Sequence, residues 1–515
     1  MAPACVPGGD PVELTGGVEE SQEKTYAVLP VDVRPGTTRI EVGYSWADRQ
    51  PFGGTPVTQT VLDLGVYDAD GYRSPAGFRG WSGSRQGKLH SGQDPVFMQA
   101  DSADRGYTPG PVEPGLWHVE LGFAAVAPGG ADWTVQVRCL SPVVGPTPIA
   151  DPVAANHIAR SEAGWYHGDF HMHGFHSNPN APDWPDLVQQ ARDAQLDFLM
   201  FTEYVTGRHW NELGAVQRAN PDLLIWPGRE IITYFGHANT HGETPSVFEY
   251  RHGFEDVNLG DIQAAAKAAG ALFQVNHPTT FPGPVFENFC RGCEFTLGDQ
   301  IDWDQVDSIE VANGPTIVNC TDLSGACPLP GEMQNPFLTT ASLLWEERLR
   351  QGFKIAPVSG CDSKGVDAPE ERARKGYGCS ATAVYAENLA RASLTEAVKA
   401  GHLYIRARGV ANSPTLEMTA TTADGQSGMF GDSFVAEQAT LSVTVHGGMG
   451  QLLRILVNGL PILHIPIASD PFTHTQPIAR VPLMEGPLGT TWRVETLDEL
   501  SLTTIGNPVF LKPVP

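Results

Sequence analysis

The chain has 515 residues, of which 41% are apolar and 18% charged, and it contains 56 glycines and 42 prolines. This composition excludes a disordered chain and a single small module, and it is typical of a turn-rich globular protein with about two to four domains. The formal net charge of −26 disfavours nucleic acid and anionic membranes as partners. No apolar run in the sequence approaches the roughly 18 residues that a membrane-spanning helix needs.

The first part of the chain predicts a β-rich domain. Short alternating apolar and polar runs, separated by glycine and proline, include TTRIEVGYSW, TVLDLGVYD, GLWHVELGF and DWTVQVRC. Alternation with period two is typical of half-buried strands, so we expect an antiparallel β-sandwich. The proline-rich stretch SPVVGPTPIADPV then has the composition of a semi-rigid linker. The N-terminal domain with its linker is therefore placed at residues 1–153.

In the middle of the chain, strand-like runs alternate with helical segments. The runs are WYHGDFH, LDFLMFT, LLIWPGRE, ALFQVNH, VDSIEV, FKIAPVSG and TAVYA, and the helical segments include WPDLVQQARDAQ and TASLLWEERLRQG. This alternation predicts βαβ units and a (β/α) barrel of about seven strands over residues 154–411. The helical pattern disappears beyond Asn412, and runs such as ATLSVTVHG predict a C-terminal β-sandwich over residues 412–515.

The cysteine pattern favours disulfides. An even number of cysteines permits a disulfide framework, and buried free thiols in a cytosolic protein are the alternative. The first two lie near the ends of the N-terminal region, and the next four form two closely spaced pairs. The second of these pairs is too widely spaced for a typical four-thiolate zinc site, which favours two local disulfides. The eight residues are Cys5, Cys139, Cys290, Cys293, Cys320, Cys327, Cys361 and Cys379.

Metal-binding residue types fall at the C-terminal ends of the predicted strands, where barrel enzymes place their active sites. A His-x-His pair on a strand points both imidazoles to the same side, so both reach one cation. Each residue alone has a structural explanation, such as a helix cap, but their coincidence at one end of a barrel predicts a metal site. The residues are His171 and His173 on the first strand, Glu203, Glu230 and His277 on the next three, and Asp362 after the sixth.

Six segments resemble, in order, the motifs of the PHP superfamily. They are GDFHMHGFHSN (168–178), LDFLMFTEY (196–204), PGREIITYFGHANTHG (227–242), NHP (276–278), DSIEVANG (307–314) and SGCDSKG (359–365). Within the superfamily, the sequence is most similar to the CehA/McbA-like metallohydrolases, which also have β-rich flanking regions. The resemblance covers residues 165–406. It implies an α/β fold in which a PHP-type distorted (β/α)7 barrel is flanked by N-terminal and C-terminal β-sandwiches.

The resemblance also implies two sets of metal ligands that share Glu230. His237 is preferred over His241 because it occupies the Gly-His position of the family's GHAN-like segment. Imidazole and carboxylate ligands suit Zn, Mn, Fe or Ni, so we expect two divalent transition-metal ions of one of these kinds. The first ion would be held by His171, His173, Glu230 and Asp362, and the second by Glu230, His237 and His277.

The sequence departs from the family at its third metal site. Glu203-Tyr204 stands where the family usually has Asp-His, and Asp362-Ser363-Lys364 stands where it usually has Asp-x-His. We therefore predict two ions, with the Lys364 ammonium in the place of the third. Cys361, which precedes Asp362, either pairs with Cys379 or remains a buried thiol. Further candidates for catalytic roles are Lys364 and Arg229 as anion stabilisers, and His241 and Tyr204 as proton donors or as residues that orient the ligands.

The resemblance predicts a binuclear metal-dependent hydrolase that cleaves an ester-type bond through a metal-bridging hydroxide. A phosphodiester or activated phosphoester is favoured, a carbamate or aryl ester is the alternative, and a secreted non-catalytic binding protein is the third interpretation. The expected partner is a small-molecule ester, and a homodimer stays open. The start MAPACVPGGD lacks the features of a signal peptide. It suits a mature secreted or periplasmic chain, with a cytoplasmic protein as the alternative.

Overall fold

The computed structural model describes residues 1–50, 59–84, 95–178, 181–242, 249–283, 286, 290–319, 331–365, 376–499 and 501–514. Among these residues, no helix is both long and apolar enough to cross a membrane. The linker predicted at 141–153 carries no regular secondary structure and is mostly exposed. Three groups of strands make up the fold, and they follow one another along the chain.

The N-terminal strands form two sheets around one apolar core, which agrees with the predicted β-sandwich. The sheet orders are β1-β3-β8-β5-β6 and β2-β9-β4-β7. Val31 and Leu121 of the first sheet and Val42 and Val135 of the second share the core, and the Cys5–Cys139 disulfide joins β1 to β9. The strands are β1 (Ala4–Cys5), β2 (Val12–Val18), β3 (Thr25–Val33), β4 (Arg39–Asp48), β5 (Val61–Tyr67), β6 (Phe78–Ser84), β7 (Val96–Gln99), β8 (Gly115–Ala125) and β9 (Ala131–Leu140).

The middle of the chain alternates strands with helices, as the sequence predicts. The strands are β10 (Ile158–Arg160), β11 (Gly164–Met172), β12 (Phe198–Tyr204), β13 (Leu224–Thr233), β14 (Gly236–His241), β15 (Leu272–Val275), β16 (Ser308–Asn313), β17 (Ile317–Asn319), β18 (Glu332–Gln334), β19 (Ala356–Gly360), β20 (Ala381–Ala386), β21 (Leu389–Ala390) and β22 (Leu403–Arg406). The helices are α1 (Trp184–Asp193), α2 (Leu213–Ala219), α3 (Leu259–Ala268), α4 (Pro336–Gln351), α5 (Arg391–Ala400) and α6 (Gly409–Asn412).

All seven predicted strands occur, as β11, β12, β13, β15, β16, β19 and β20, but the sheet they build is mixed. Its order is β19-β16-β15-β14-β13-β12-β11-β20-β22. The pairs within β11/β12/β13 and within β15/β16/β19 are parallel, whereas β14 pairs antiparallel with both of its neighbours. The β13–β14 hairpin therefore interrupts the predicted parallel succession, and closure into a seven-stranded barrel stays a prediction.

The helices begin where the sequence supplies a cap. The Asp183 side chain accepts a hydrogen bond from Asp186 N at the start of α1, and Asn335 accepts one from Phe337 N at the start of α4. Both helices carry proline in the first turn, where its missing N–H costs nothing. The buried faces of the helices cover the central sheet, and Trp345 of α4 is fully buried.

The C-terminal strands add to the central sheet and also form a sheet of their own. The strands are β23 (Thr415–Thr422), β24 (Ser427–Gly428), β25 (Ser433–Val435), β26 (Gln438–His446), β27 (Leu452–Val457), β28 (Leu460–Pro466), β29 (Phe472–Ala479), β30 (Thr490–Leu497), β31 (Leu502–Gly506) and β32 (Val509–Lys512). The separate sheet has the order β24-β23-β26-β29, while β31-β30-β27-β28 continue the central sheet through the antiparallel β22/β31 pair. The sequence did not indicate this continuity, because the alternating pattern of a strand shows its buried face and not its partner strand.

Candidate metal centre

Imidazoles and carboxylates from five parts of the central sheet converge at one place. They come from the end of β11, from β13 and β14, and from the segments that follow β15 and β19. Two backbone hydrogen bonds tie the last of these segments to β11: Asp362 N donates to His171 O (2.9 Å), and His173 N donates to Ser363 O (2.8 Å). The converging residues are His171, His173, Glu230, His237, His277 and Asp362.

The first predicted ligand set is assembled around Glu230 and Asp362. His173 Nε2 lies 2.9 Å from Asp362 Oδ1 and 3.3 Å from Glu230 Oε2. His171 Nε2 lies 3.3 Å from Glu230 Oε1 and 3.7 Å from Asp362 Oδ1. One ligand atom from each of the four residues lies within 4.8 Å of the others, a spread that one cation can span.

The second predicted set shares Glu230 with the first. His237 Nδ1 lies 3.2 Å and His277 Nε2 3.4 Å from Glu230 Oε1. One ligand atom from each of these three residues also lies within 4.8 Å of the others. Asn276 Nδ2 donates to the same carboxylate oxygen at 3.1 Å, which helps to orient Glu230 between the two groups.

Every imidazole of the two sets has its other ring nitrogen beside an oxygen atom. The Nε2 atoms of His171, His173 and His277 are buried, and none has a hydrogen-bond partner among the described residues. Buried polar atoms are normally paired, and a metal-ligating histidine typically donates its second N–H to an acceptor, so this donor set fits a metal. The pairs are His171 Nδ1 with Glu310 Oε2 (3.4 Å), His173 Nδ1 with Ser177 Oγ (3.2 Å), His237 Nε2 with Arg291 O (3.0 Å) and His277 Nδ1 with Cys293 O (3.0 Å).

The electrostatics of the cluster favour a cation. Burial raises the pKa of Glu230, but His171 and the other imidazoles outweigh it and hold the pKa well below its usual range. Burial likewise raises the pKa of Asp362, while Lys364 and His171 lower it to a net value well below the ordinary one. Both carboxylates are therefore ionised at neutral pH and available as ligands.

Lys364 and Tyr204 lie at the edge of this cluster. Lys364 Nζ donates to Asp362 Oδ1 at 3.1 Å and lies 5.2 Å from the centre of the Tyr204 ring. The Tyr204 ring is 4.3 Å from the ring of His173. Burial lowers the pKa of Lys364, but the facing Asp362 raises it by more, so the net pKa lies above the ordinary value and the ammonium stays charged. The structure thus brings both residues beside the candidate ligands Asp362 and His173.

Arg229 does not join the cluster. Side chains alternate along a strand, so Arg229 faces away from its neighbour Glu230 on β13. Its Nε donates to Thr206 O at 3.4 Å, and its guanidinium lies 5.0 Å from the centre of the Trp210 ring. Burial lowers the pKa of Arg229 to about 9. These contacts do not support the predicted role of Arg229 as an anion stabiliser at the cluster.

His241 lies deeper in the sheet than the cluster. It pairs with Gly228, two residues before Glu230, and its Nε2 is 3.3 Å from Gln274 Oε1. Burial lowers the pKa of His241 to about 3, so the ring is neutral and has no proton to donate as an acid at ordinary pH. The predicted role of His241 as a proton donor is therefore not supported. His237 and His241 lie on the same strand, but His237 is the one that faces Glu230.

Two acidic residues have roles that the sequence did not reveal. Glu310 Oε2 accepts from His277 N at 2.7 Å and faces His171, so it links the two ligand sets. Its position inside the motif DSIEVANG is the signal in the sequence that could have indicated it. Glu203, counted above among strand-end metal-binding types, instead accepts from Gly174 N at 3.0 Å and His176 N at 3.2 Å. It holds the loop after His173 rather than facing the ligands.

The cysteines near the cluster are paired. Cys290–Cys293 and Cys361–Cys379 form disulfides, which resolves two alternatives that the sequence left open. Cys320 and Cys327 lie outside the described residues. Disulfides persist in oxidising compartments, so the three described pairs favour such a location.

Comparisons with known proteins give a structural likeness but no matching sequence family. No family model matches the sequence, and no curated protein matches it. A solved structure from Bacteroides vulgatus, described as a two-domain protein containing a predicted PHP-like metal-dependent phosphoesterase, is 16% identical and covers 71% of this chain and 99% of its own, with a TM-score of 0.37. A likeness of this size leaves the assignment of function to the geometry of the site.

Proposed function

We propose that the protein is a binuclear metal-dependent hydrolase of the PHP type that cleaves a phosphodiester or an activated phosphoester. The observation that carries this proposal is the pair of ligand sets sharing Glu230, in which each imidazole has an acceptor beside its second nitrogen. Structural histidines need no such convergence of ring nitrogens on a shared carboxylate. The nitrogen and oxygen ligands suit Zn, Mn, Fe or Ni.

Two divalent ions bound here would supply an activated water and Lewis-acid stabilisation of the developing negative charge. Two side chains of the protein would bind and orient the substrate. Lys364 places a fixed positive charge beside Asp362, at the edge of the cluster, where a substrate oxygen can accept a hydrogen bond from it. Burial raises the pKa of Tyr204, so its hydroxyl keeps its proton and serves as a neutral donor.

The charge of the molecule favours a diester. The net charge of −26 opposes the approach of a dianion, whereas a monoanionic diester or a neutral ester meets less repulsion. One ammonium group at the cluster edge also matches one negative charge. An exported location accompanies this proposal, because three described disulfides are typical of an oxidising compartment.

The proposal is tested by nitrophenol release from bis(4-nitrophenyl) phosphate and from a 4-nitrophenyl carbamate, measured side by side with metal-reconstituted protein. Faster, metal-dependent turnover of the phosphate is expected. Asp362→Ala should abolish it, while Asp299→Ala, which alters an exposed aspartate, should not. Faster carbamate turnover would reassign the substrate class, and metal-independent or absent turnover of both would contradict the proposed activity.

A further inference from the structure

One short loop orients both imidazoles that belong to the second ligand set alone. Arg291 O lies 3.0 Å from His237 Nε2, and Cys293 O lies 3.0 Å from His277 Nδ1. These two carbonyls are two residues apart, on a loop closed by the Cys290–Cys293 disulfide. Residues 290–293, with the disulfide that joins Cys290 to Cys293, are called the 290–293 loop.

The 290–293 loop packs directly against the hairpin that carries His237. Gly292 has a φ of 82°, and a Cβ atom there would lie 2.3 Å from Thr233 O and 3.1 Å from His237 Nε2. Beyond the loop, Phe295 N donates to Pro278 O at 2.9 Å, so the following segment is anchored beside His277. The loop is therefore held between the two histidines, and only glycine fits its point of closest approach.

A carbonyl oxygen fixes the state of an imidazole more strictly than a hydroxyl does. A backbone carbonyl only accepts, so the facing ring nitrogen must carry the proton, and the nitrogen that faces Glu230 is left as a lone-pair donor. The first ligand set relies on other groups, namely Ser177 Oγ beside His173 and Glu310 Oε2 beside His171. The 290–293 loop thus acts on one of the two sets.

We propose that the 290–293 loop is the positioning element of the second metal site, and that its disulfide keeps the two carbonyls where they hold His237 and His277 in the metal-binding tautomer. This inference rests on the proposed binuclear function. It predicts that breaking the loop weakens the binding of one ion and leaves the other bound, because among the described residues the ring nitrogens beside the loop carbonyls are those of His237 and His277 and not of His171 or His173.

The test uses the Cys290→Ser/Cys293→Ser double variant, with Cys5→Ser/Cys139→Ser as the matched control at a disulfide of the N-terminal sheets. Serine is preferred to chemical reduction, since free thiols at 290 and 293 would lie within 4.8 Å of His237 and could bind a metal themselves. Zn²⁺ per chain is counted by elemental analysis, and Co²⁺ titrations followed by absorbance give both dissociation constants.

We expect the second dissociation constant to rise about 10- to 100-fold in the double variant, with bound Zn²⁺ falling from two ions to one after gel filtration. The first dissociation constant of the double variant should match that of the wild type, and so should both dissociation constants of the control variant. Gly292→Ala, which keeps both cysteines, should shift the same constant, so the result does not depend on the disulfide variant folding well. Retention of the first ion reports that the site region is folded.

The outcomes separate the two proposals. A wild-type protein that binds fewer than two ions overturns the binuclear function and this inference together. Two ions in the wild type, with unchanged constants in both loop variants, overturn the positioning role alone. Equal weakening of both ions also contradicts it, because the loop would then act on the whole cluster.

Discussion

At the scale of single residues, the site depends on which ring nitrogen of each histidine is free. His171 and His277 both turn Nε2 towards Glu230, and a neighbouring oxygen faces the other nitrogen of each ring. Glu310 contributes to both, since it faces His171 and accepts from the backbone of His277. The same residue types without these acceptors would give mobile rings and a weaker site.

Lys364 offers the most direct test at this scale. Lys364→Ala removes the ammonium that contacts Asp362 but no metal ligand, so kcat/KM for the phosphodiester should fall about 100- to 1,000-fold while two ions stay bound. Lys364→Arg keeps the charge and should recover part of the loss. Full activity in Lys364→Ala would show that Lys364 forms only an ion pair.

At the scale of strands and loops, Asp169 fastens the segment that carries Asp362. Its carboxylate accepts from three backbone N–H groups, those of His171, Cys361 and Gly378, each at 3.1 Å. The last two lie at the Cys361–Cys379 disulfide, so one side chain joins β11 to both ends of that link. Asp362 itself has a φ of 49°, a conformation that needs such support.

Asp169→Asn should therefore destabilise the fold. An amide side chain presents one acceptor oxygen, so at least one buried N–H loses its partner, and the free energy of unfolding should fall by about 1–3 kcal/mol. Urea unfolding at about pH 8 is the measurement, because burial raises the pKa of Asp169 to about 7 and the carboxylate is ionised above that value. Asp299→Asn is the surface control, and equal stability of the two variants would refute the role of Asp169.

The strands and the residues that converge at the candidate site could be predicted from the sequence, whereas the depth of each residue and the pairing of the strands could not. His171, His173 and His277 end or follow apolar runs, and such runs mark buried strands. The polar run GHANTH gave no such signal, yet all six residues of β14 are buried because this strand lines the polar interior beside Glu230. His237 and His241 are four residues apart on β14, about 13 Å along the strand, so His241 lies away from the cluster when His237 faces Glu230.

At the scale of the whole molecule, buried tyrosine–carboxylate pairs join the N-terminal sheets to the central sheet. Tyr234 OH donates to Asp63 Oδ2 at 2.8 Å, and Tyr250 OH donates to Glu120 Oε1 at 2.7 Å. A Cβ atom at Gly122 would lie 2.0 Å from Tyr234 OH, so glycine at this position admits the hydroxyl to the face of the N-terminal sheet. These contacts place the N-terminal sheets beside the hairpin that carries Glu230 and His237.

This junction should make stability depend on pH. Burial raises the pKa of Glu120 to about 7 although Arg251 opposes the shift, so the folded state binds a proton more tightly than the unfolded state. The stabilisation is complete below the unfolded pKa of 4.5 and is lost as the pH rises through about 7. The free energy of unfolding should thus lose about 2–3 kcal/mol between about pH 5 and pH 8 through this group.

Glu120→Gln removes the titrating group and keeps a hydrogen-bonding side chain at the junction. Urea unfolding of metal-free protein at the two pH values should show a smaller pH dependence in Glu120→Gln than in the wild type. Metal-free protein is used because metal binding changes with pH by itself. An identical pH dependence in the two proteins would contradict the role assigned to Glu120.

The proposed sharing of Glu230 by two metal ions is tested most directly by the metal content per chain. The reconstituted wild type should retain two ions after gel filtration, Asp362→Ala and His277→Ala should each retain one, and Glu230→Gln should retain none or bind both weakly. The two single-site variants lie in different ligand sets, so they control for each other. A wild type without metal, or two tightly bound ions in Glu230→Gln, would contradict the account.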